Sequence, residues 1–269
     1  MKPNVTKRMI KGTILANRQI APEHFVMDIG SAWLARKSRP GQFISVRVMD
    51  GVTDPLLRIP LGIHRISETG VSLLYGVVGP GTALLAKRKK GELIDTLGPL
   101  GKGFDLSAVT RKKNAEALLV SGGHGVAPLY ALAEAVTAKK RKAVFFIGAK
   151  TGKHVVCEKA LRKLGAAVHV ATDDGTRGHK GYVTDMLRKY LERGARDPQR
   201  TAIFACGPKP MLAAVAKEAE RSGIPAQVAY DEYMACGIGA CRGCAVETVQ
   251  GIKLACKDGP VFAADMIKW

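Results

Sequence analysis

The chain has 269 residues, of which 46% are hydrophobic and 24% charged, and its net charge is +19. This length suits two domains with an appendage. The sequence contains no run of eighteen apolar residues that could span a membrane. Met1–Asn4 lacks the apolar core of a secretory signal, so a cytoplasmic protein is expected. The basic residues cluster in four runs (36–39, 87–90, 111–113 and 139–142) without interleaved aromatic side chains, which argues against nucleic-acid binding.

The first segment, residues 11–96, is predicted to form a small antiparallel barrel. Its short strands are separated by turn residues, and residues 42–48 alternate apolar and polar side chains as a half-buried strand does. Strands at this spacing are typical of antiparallel barrels. The other predicted strands are residues 11–18, 24–29, 56–66 and 71–78, and one helix is predicted over residues 82–88.

Two glycine-rich turns in this segment are candidate phosphate contacts. Gly79-Pro80-Gly81-Thr82 precedes the predicted helix, and a turn that opens a helix presents free N–H groups to an anion. The same residues also fit a plain turn with Thr82 as the N-cap. Residues 98–104 either face a phosphate in the same way or simply connect to the next domain. Both interpretations stay open at this point.

The second segment is predicted to be a doubly wound parallel sheet. Apolar strands alternate with stretches of helical periodicity from residue 115 to residue 230, which is the pattern of α/β domains. The predicted strands are residues 115–120, 143–147, 166–171, 202–206 and 227–230. One predicted helix follows the first strand and ends at residue 138, and the others span residues 155–164, 181–192 and 208–222.

Three loops of this segment predict a nicotinamide nucleotide site. Residues 122–125, 172–176 and 206–208 follow the first, third and fourth predicted strands. Ligands of such sheets bind beyond the carboxyl ends of the strands, so these loops should converge on one ligand. Cys206 ends a strand at this edge and is a candidate for a catalytic contact, whereas Cys157 is expected to be an ordinary core residue.

The most specific pattern is a group of four cysteines near the C-terminus, spaced C-x4-C-x2-C-x11-C: Cys236, Cys241, Cys244 and Cys256. The first three match the plant-type pattern that holds a 2Fe–2S cluster, and the fourth completes it. The glycines between them allow backbone N–H groups to point at inorganic sulfide. Structural zinc usually takes C-x2-C knuckles, which the longer gap after Cys236 fits poorly. A zinc-stapled adaptor without a redox role is the alternative from a different class.

In this order, the barrel, the nucleotide domain and the cysteine segment resemble the electron-transfer subunits of NAD-dependent dihydroorotate dehydrogenases, a branch of the ferredoxin reductase superfamily. The resemblance is most specific at residues 234–241, 122–130 and 206–208, with Met211-Leu212. It implies an α/β plus all-β architecture in three parts. These parts are an FAD-binding barrel over residues 1–107, an NAD-binding domain over residues 108–228 and a 2Fe–2S segment over residues 229–269.

The resemblance implies cofactor contacts at individual residues. FAD would be bound by Arg58, Pro60, Leu61, Gly62, Leu74, Tyr75, Gly76, Gly81 and Thr82. NAD would be approached by Gly122, Gly123, Gly125, Cys206, Gly207 and Pro208. One departure concerns Ile59 and Gly62, which replace an Arg and a Ser that contact the flavin in the family. Arg58 stands one position earlier and would point to the opposite face of its strand.

The resemblance also implies a route for electrons and a partner. They would pass from an FMN-bearing dihydroorotate-oxidising catalytic subunit through the 2Fe–2S cluster and FAD to NAD, in pyrimidine biosynthesis, within a heterotetramer of two pairs. Residues 229–269 carry four basic and five acidic side chains, which is consistent with a protein interface.

Two further points stay open. The small subunit of the NADH-dependent ferredoxin:NADP oxidoreductase shares the layout and is the alternative, but it typically has Asp where this chain has Cys236. The family implies NAD, yet Lys150 and Lys153 follow the second predicted strand, where an acidic residue would accept the ribose hydroxyls. The sequence therefore does not decide between NAD and NADP.

Overall fold

The computed structural model describes residues 7–49, 51, 54–110, 113–193 and 196–269. Its first half is the predicted antiparallel barrel, closed in the strand order β1-β2-β5-β4-β3-β6. The strands are β1 (Arg8–Ala21), β2 (His24–Gly30), β3 (Phe43–Val46), β4 (Ile59–Ile66), β5 (Gly70–Gly76) and β6 (Leu93–Leu100), with helices α1 (Ala32–Lys37) and α2 (Pro80–Ala86). Alternate side chains such as Ile14, Met27, Ile44 and Leu73 fill the interior without solvent exposure. Met1–Asn4 and part of the basic run at residues 111–113 lie outside the described residues.

Helix α2 is fixed to the barrel by the partly buried side-chain amide of Asn17. The Asn17 side chain donates hydrogen bonds to the carbonyl oxygens of Leu85 and Arg88, 3.0 and 2.9 Å away, at the C-terminal end of α2. Its own oxygen accepts a 2.9 Å bond from the Tyr75 hydroxyl. These hydrogen bonds satisfy carbonyl groups that would otherwise be unpaired at the end of the helix. They also hold the turn between β5 and α2 close to the end of β5.

The second half contains a seven-stranded sheet in the order β10-β9-β8-β7-β11-β12-β15. Its first six strands are parallel, as the alternating pattern predicts: β7 (Glu116–Gly122), β8 (Lys142–Ala149), β9 (Ala167–Thr172), β10 (His179–Lys180), β11 (Thr201–Cys206) and β12 (Ala226–Ala229). The helices are α3 (Ser107–Thr110), α4 (Val126–Ala138), α5 (Glu158–Lys163), α6 (Val183–Glu192) and α7 (Lys209–Ser222). The central strands are buried on both faces, which explains their continuous apolar runs.

The C-terminal part is joined to this sheet and is not an independent unit. It contains the hairpin β13 (Ala245–Thr248) and β14 (Gly251–Leu254), then β15 (Val261–Ala263), which pairs antiparallel with β12 as the edge strand. The Lys102 N–H donates a 2.5 Å hydrogen bond to the Gly259 carbonyl and so ties the end of the barrel to the same part. The predicted architecture is confirmed, while the domain limits at residues 107 and 228 stay predictions.

The barrel and the parallel sheet meet along α4 and β4. The ring of His64 on β4 is buried, with Nδ1 3.2 Å from the Ala127 carbonyl and its centroid 4.6 Å from that of Tyr130. Arg65 extends the contact through an ion pair with Glu134 at 2.8 Å. Nothing in the sequence pattern indicated this packing, because it depends on how two separately folded units dock.

Some element limits differ from the predictions. The strand predicted over residues 56–66 begins only at Ile59, and the helix predicted over residues 155–164 begins at Glu158. The second difference has a local cause, since Cys157 has a left-handed backbone (φ 66°) that a helix interior does not tolerate. Among the described residues, no helix is long and apolar enough to cross a membrane.

Candidate cofactor and cluster sites

A first cavity of about 570 Å³ opens between the barrel and the carboxyl ends of the parallel strands. The predicted contact residues that line it from the barrel are Pro60, Leu61, Gly62, Leu74, Tyr75, Gly76 and Thr82. Those that line it from the sheet are Gly122, Gly123, Gly125, Cys206, Gly207 and Pro208. The structure therefore brings most of the predicted flavin and nicotinamide contacts into one space. A cavity of this size, largely apolar with a few polar groups, is suited to an aromatic ligand such as a flavin ring.

Two predicted flavin residues do not line this cavity. Arg58 turns away and forms an ion pair with Asp95 at 2.6 Å, which agrees with the expectation that its side chain points to the opposite face of the strand. Gly81 packs under Ile59, whose Cδ1 lies 2.5 Å from where a Cβ on Gly81 would stand. Ile59 itself lines the cavity, so an apolar side chain stands where the family resemblance implies an arginine.

The glycine-rich turn after β7 and the turn after β11 touch directly. A Cβ on Gly125 would overlap the Cys206 carbonyl, and a Cβ on Gly122 would approach the Met211 sulfur to 2.7 Å. Gly123 differs, because it has a left-handed backbone (φ 53°) and open space in front of it. Gly125 is therefore required by contact with backbone and Gly122 by contact with side chains, whereas Gly123 exposes its backbone to the cavity.

Cys206 is held in the thiol form. Burial, followed by the nearby Asp231 carboxylate, raises its pKa to about 12. Burial also raises the pKa of Asp231, which lines the same cavity. A thiol in this state is a poor nucleophile, because the thiolate is the reactive form. Cys206 is therefore suited to packing against a ligand and donating a weak hydrogen bond, and not to covalent catalysis.

Several residues of the first cavity were not foreseen. Gly41, Gln42 and Phe43 come from the start of β3, and Ala229, Asp231, Met234 and Pro260 come from the C-terminal part. Thr82 turns its hydroxyl into its own turn, where it accepts hydrogen bonds from the N–H groups of Val78 and Gly79 at 2.9 and 3.2 Å. The N-cap of α2 is therefore Gly79 and not Thr82 as predicted, because Thr82 is the third helical residue and its hydroxyl bonds back to the turn. The C-terminal contribution had no local signal, since it arises from the pairing of β15 with β12.

A second cavity of about 860 Å³ adjoins the first and shares Gly76, Gly122, Gly123 and His124 with it. It continues along the ends of β8 and β9, where Lys150, Asp173 and the 69% exposed Tyr182 line it. The Asp173 N–H donates a 3.1 Å hydrogen bond to the Ala149 carbonyl, which places Asp173 beside the end of β8. An acidic residue is thus present at this edge, although it follows β9 and not β8.

The cluster cysteines lie on both sides of the hairpin β13–β14, since Cys236, Cys241 and Cys244 precede it and Cys256 follows it. The Cys244 and Cys256 sulfurs are 3.2 Å apart and buried, and the Cys236 sulfur accepts a 3.4 Å hydrogen bond from the Cys241 N–H. Within the described residues, no three His, Cys, Asp or Glu side chains are arranged to hold a single metal ion. A grouping in two pairs fits the two irons of a 2Fe–2S cluster, each held by two thiolates.

The loop backbone supports this reading. Gly237, Gly239 and Arg242 have left-handed backbones (φ 67°, 87° and 62°), which turn successive N–H groups toward the sulfurs. The N–H groups of Ile238 and Cys241 lie 3.5 and 3.4 Å from the Cys236 sulfur. Led by the Cys241 N–H, these bonds lower the pKa of Cys236 to about 6, which favours the thiolate that metals require.

The opposite pair differs in its surroundings. Burial, together with the adjoining Cys244 sulfur, raises the pKa of Cys256 to about 12. Cys241, by contrast, is exposed at the surface. One side of the loop therefore faces the protein interior and the other faces solvent.

The barrel, the parallel sheet with its paired loops and the cysteine loop together define an oxidoreductase of the ferredoxin reductase-like fold. Solved structures agree. The fold matches a chain of the NADH-dependent reduced ferredoxin–NADP oxidoreductase with a TM-score of 0.82 and 30% sequence identity. The match covers 97% of this chain and 90% of the other. A ferredoxin NADP+ reductase from Neisseria gonorrhoeae matches in fold alone, at 15% identity and a TM-score of 0.64 over 84% of this chain and 94% of the other.

Sequence comparison gives the particular family. Residues 231–268 match the iron-sulfur cluster binding domain of dihydroorotate dehydrogenase B, and residues 119–217 match the oxidoreductase NAD-binding domain. The dihydroorotate dehydrogenase B (NAD(+)) electron transfer subunit of Desulforamulus reducens is 34% identical over 97% of this chain and 99% of its own length. That of Geobacillus kaustophilus is 38% identical over 94% of this chain and 95% of its own. The chain belongs to the family of dihydroorotate dehydrogenase B electron transfer subunits.

Proposed function

We propose that this chain relays electrons between a dihydroorotate-oxidising partner and NAD in pyrimidine biosynthesis. The observation that carries the proposal is the adjacency of the cysteine loop to the first cavity. Met234 and Asp231, which precede the first cluster cysteine, line that cavity beside Cys206. Electron donors and acceptors held by these groups would be close together, and the relatives named above are electron transfer subunits.

The described residues fit three redox groups. The barrel side of the first cavity would hold the flavin of FAD, the two cysteine pairs would hold a 2Fe–2S cluster, and the second cavity would hold the nicotinamide dinucleotide. A flavin exchanges one or two electrons, whereas an iron–sulfur cluster exchanges one and a nicotinamide exchanges a hydride, so a flavin between the other two is chemically required.

The protein's own contribution is to hold and shield these groups. The contact between the turns after β7 and β11 keeps the floor of the cavity closed, and the Gly123 backbone faces the space where the two cavities join. The neutral Cys206 thiol and Asp231 line the first cavity. Such groups orient ligands and exclude water without forming covalent bonds to them.

The cluster loop also supports a partner at the surface. Cys241 is exposed, and the neighbouring Tyr233 and Ile238 are 94% and 40% exposed despite being apolar. Exposed aromatic and aliphatic side chains beside a redox group are suited to a protein interface. We infer that an FMN-bearing dihydroorotate dehydrogenase catalytic subunit binds here and that two such pairs form a heterotetramer. We also propose that the protein is cytoplasmic, as expected from the sequence.

The decisive experiment combines a spectrum with reconstituted turnover. Protein purified under anaerobic conditions should show flavin and 2Fe–2S absorption bands, and with a dihydroorotate-oxidising, FMN-containing subunit it should reduce NAD+ with dihydroorotate as the donor. A colourless protein that contains zinc would establish the adaptor alternative. A coloured protein that couples NADH to ferredoxin and NADP+, but not to dihydroorotate, would favour the other oxidoreductase, whose solved relative has the same fold.

The partner surface has its own test. Tyr233→Ser removes the most exposed aromatic side chain next to the cluster loop, and we expect it to weaken binding of the catalytic subunit by about tenfold, as loss of an aromatic interface anchor does. Leu93→Ser is the matched control, because Leu93 is 58% exposed on the barrel. Equal effects of the two variants in a pull-down titration would remove the assignment of the interface to the cluster loop.

A further inference from the structure

Three histidines from different elements meet beside the junction of the two cavities. His24 begins β2 of the barrel, His124 lies in the turn Gly123–Gly125, and His154 ends the turn Gly152–His154 after β8. The rings of His24 and His124 are stacked, with centroids 4.8 Å apart and planes 21° apart, and the His154 centroid is 6.1 Å from that of His24. We call these three residues the imidazole cluster. It spans the boundary between the barrel and the parallel sheet.

One nitrogen of His24 and one of His154 form described hydrogen bonds, which leaves the other nitrogen of each ring for a ligand. The Nδ1 atom of His24 is 2.7 Å from the Pro22 carbonyl, which can only accept, so Nδ1 donates and Nε2 is the other nitrogen. The Nδ1 atom of His154 is 3.1 Å from the Thr151 hydroxyl. His124 is the exposed member, and its ring lies over Gly76, where any Cβ would overlap Nε2.

All three side chains line the second cavity, where the dinucleotide would bind. The other charged groups of that cavity are Glu23 beside His24, Lys150 after β8 and Asp173 after β9. On the side of the first cavity, Cys206, Lys209 and Asp231 are the titratable groups. The surroundings of the imidazole cluster thus contain both signs of charge, and no single carboxylate is paired with it by a described hydrogen bond.

The surroundings of His124 favour its neutral form. Burial, followed by the neighbouring His24 and His154, lowers the pKa of His124. Two stacked imidazoles cannot both become charged cheaply, because like charges at this separation repel. A dianionic ligand would reverse this balance, since a nearby opposite charge favours the protonated form.

We propose that the imidazole cluster binds the diphosphate of the nicotinamide dinucleotide and takes up a proton from solvent as it does so. The proposal rests on the proposed function, because it assumes that the dinucleotide enters the second cavity. Lys150 supplies a fixed positive charge there, and the open backbone at Gly123 leaves room for an anion next to His124. The protonated imidazole would add a charge-assisted hydrogen bond, which is stronger than a neutral one.

The consequence is a pH-dependent affinity with a definite sign. The pKa of His124 is low before binding and would rise when the diphosphate is present, so binding is strongest at pH values below the pKa of the free ring. Affinity falls as the pH increases from that value toward the raised pKa and levels off above it. Linkage sets the limit at about a tenfold increase in Kd per pH unit for one fully coupled proton.

The experiment is a calorimetric titration of the flavin-loaded protein with ADP-ribose, which contains the diphosphate but cannot exchange a hydride. Titrations between pH 6 and pH 8, each in two buffers of different ionisation enthalpy, count the protons taken up. We expect net uptake at pH 6.5 to 7 and a Kd that increases with pH. His124→Gln and His154→Gln should weaken binding about tenfold at pH 6 and reduce the proton uptake, with little change at pH 8.

His169→Gln is the matched control, since His169 is an exposed histidine on β9 that stacks on Phe146 outside both cavities. Its proton uptake should equal that of the unchanged protein. Flavin absorbance of each variant reports whether the fold is intact. A Kd independent of pH with no proton uptake, or His124→Gln titrating like the unchanged protein, would overturn the proposal.

The outcome is separable from the proposed function. If NADH fails to reduce the bound flavin and ADP-ribose does not bind, the proposed function itself is wrong. If NADH reduces the flavin and ADP-ribose binds without proton uptake, only the role of the imidazole cluster is wrong, and the three rings are packing residues at the domain boundary.

Discussion

The cluster loop and the two cavities of this protein are assembled from very different amounts of chain. All four cluster cysteines lie within residues 236–256, and the backbone of the same loop supplies the N–H groups that face the Cys236 sulfur. The cavities draw their walls from the barrel, the strand ends of the sheet and the C-terminal part. A compact loop can be disabled by one side chain without disturbing the rest, whereas a shared cavity is sensitive to how large units pack.

The strongest test of this contrast is Cys241→Ser. Because Cys241 is an exposed loop residue, the substitution should leave the fold and the flavin in place but remove a cluster ligand. We expect dihydroorotate-driven NAD+ reduction by the reconstituted pair to fall at least about a hundredfold, while electron transfer from NADH to a small dye persists.

The matched control is Cys157→Ser, which changes a cysteine outside the cluster loop. It should retain coupled turnover and the cluster absorption bands. Full coupled turnover by a cluster-free Cys241→Ser protein would show that the cluster is structural.

Gly125→Ala tests whether the cavities depend on the close packing of distant parts of the chain. Its Cβ would overlap the Cys206 carbonyl, so the turns after β7 and β11 must separate. Overpacking of this kind costs about 1–3 kcal/mol, and we expect a comparable loss in the free energy of unfolding by urea together with weakened dinucleotide binding.

Gly123→Ala provides the comparison within the same turn. It meets no neighbouring atom and incurs only the left-handed backbone strain, about 1 kcal/mol. If the two alanine variants were equally stable, the close packing of the two turns would not matter for stability.

The buried His64, where the barrel contacts the parallel sheet, should make the free energy of unfolding depend on pH. Burial lowers its pKa to about 4, partly offset by the hydrogen bond with the Ala127 carbonyl, and Arg65 lowers it further while Asp28 raises it. The unfolded chain, with an ordinary His pKa near 6.5, binds more protons between these values, so stability falls as the pH decreases from 6.5 toward 4. We expect His64 to account for about 2 kcal/mol of lost unfolding free energy between pH 7 and pH 5.

The measurement is a pair of urea titrations at the two pH values, compared with His64→Asn. Asn keeps a polar side chain toward the Ala127 carbonyl but does not titrate. The variant should therefore lose less stability on acidification than the unchanged protein. An equal loss would mean that other groups control the acid response.

The smallest expected effect concerns the choice of dinucleotide. Asp173 lines the second cavity next to Lys150, and a carboxylate there would accept ribose hydroxyls and repel a 2′-phosphate. Asp173→Asn should shift the ratio of kcat/KM for NADPH and NADH by about tenfold toward NADPH.

Asp174→Asn is the natural control, since Asp174 is the adjacent carboxylate but accepts hydrogen bonds from Thr176 in its own turn. It should leave the ratio unchanged. A starting preference for NADPH in the unchanged protein would show that Lys150 outweighs Asp173.

The sequence by itself determined the elements and the cluster motif of this protein. Strand and helix periodicity follows from which side chains face the core, so the barrel and the parallel sheet could be predicted from local patterns. The cysteine spacing predicted a 2Fe–2S loop for the same reason, because the cysteines and the backbone around them are close in sequence.

Only the tertiary structure decided how these parts combine. Asp173 stands beside Lys150 because two parallel strands align their ends, although no acidic residue follows β8 in the sequence between Gly148 and Lys153. The packing of β4 on α4 and the meeting of His24, His124 and His154 depend on the docking of separately patterned units. Periodicity reports which face of an element is buried, but it carries no information on which distant element covers that face.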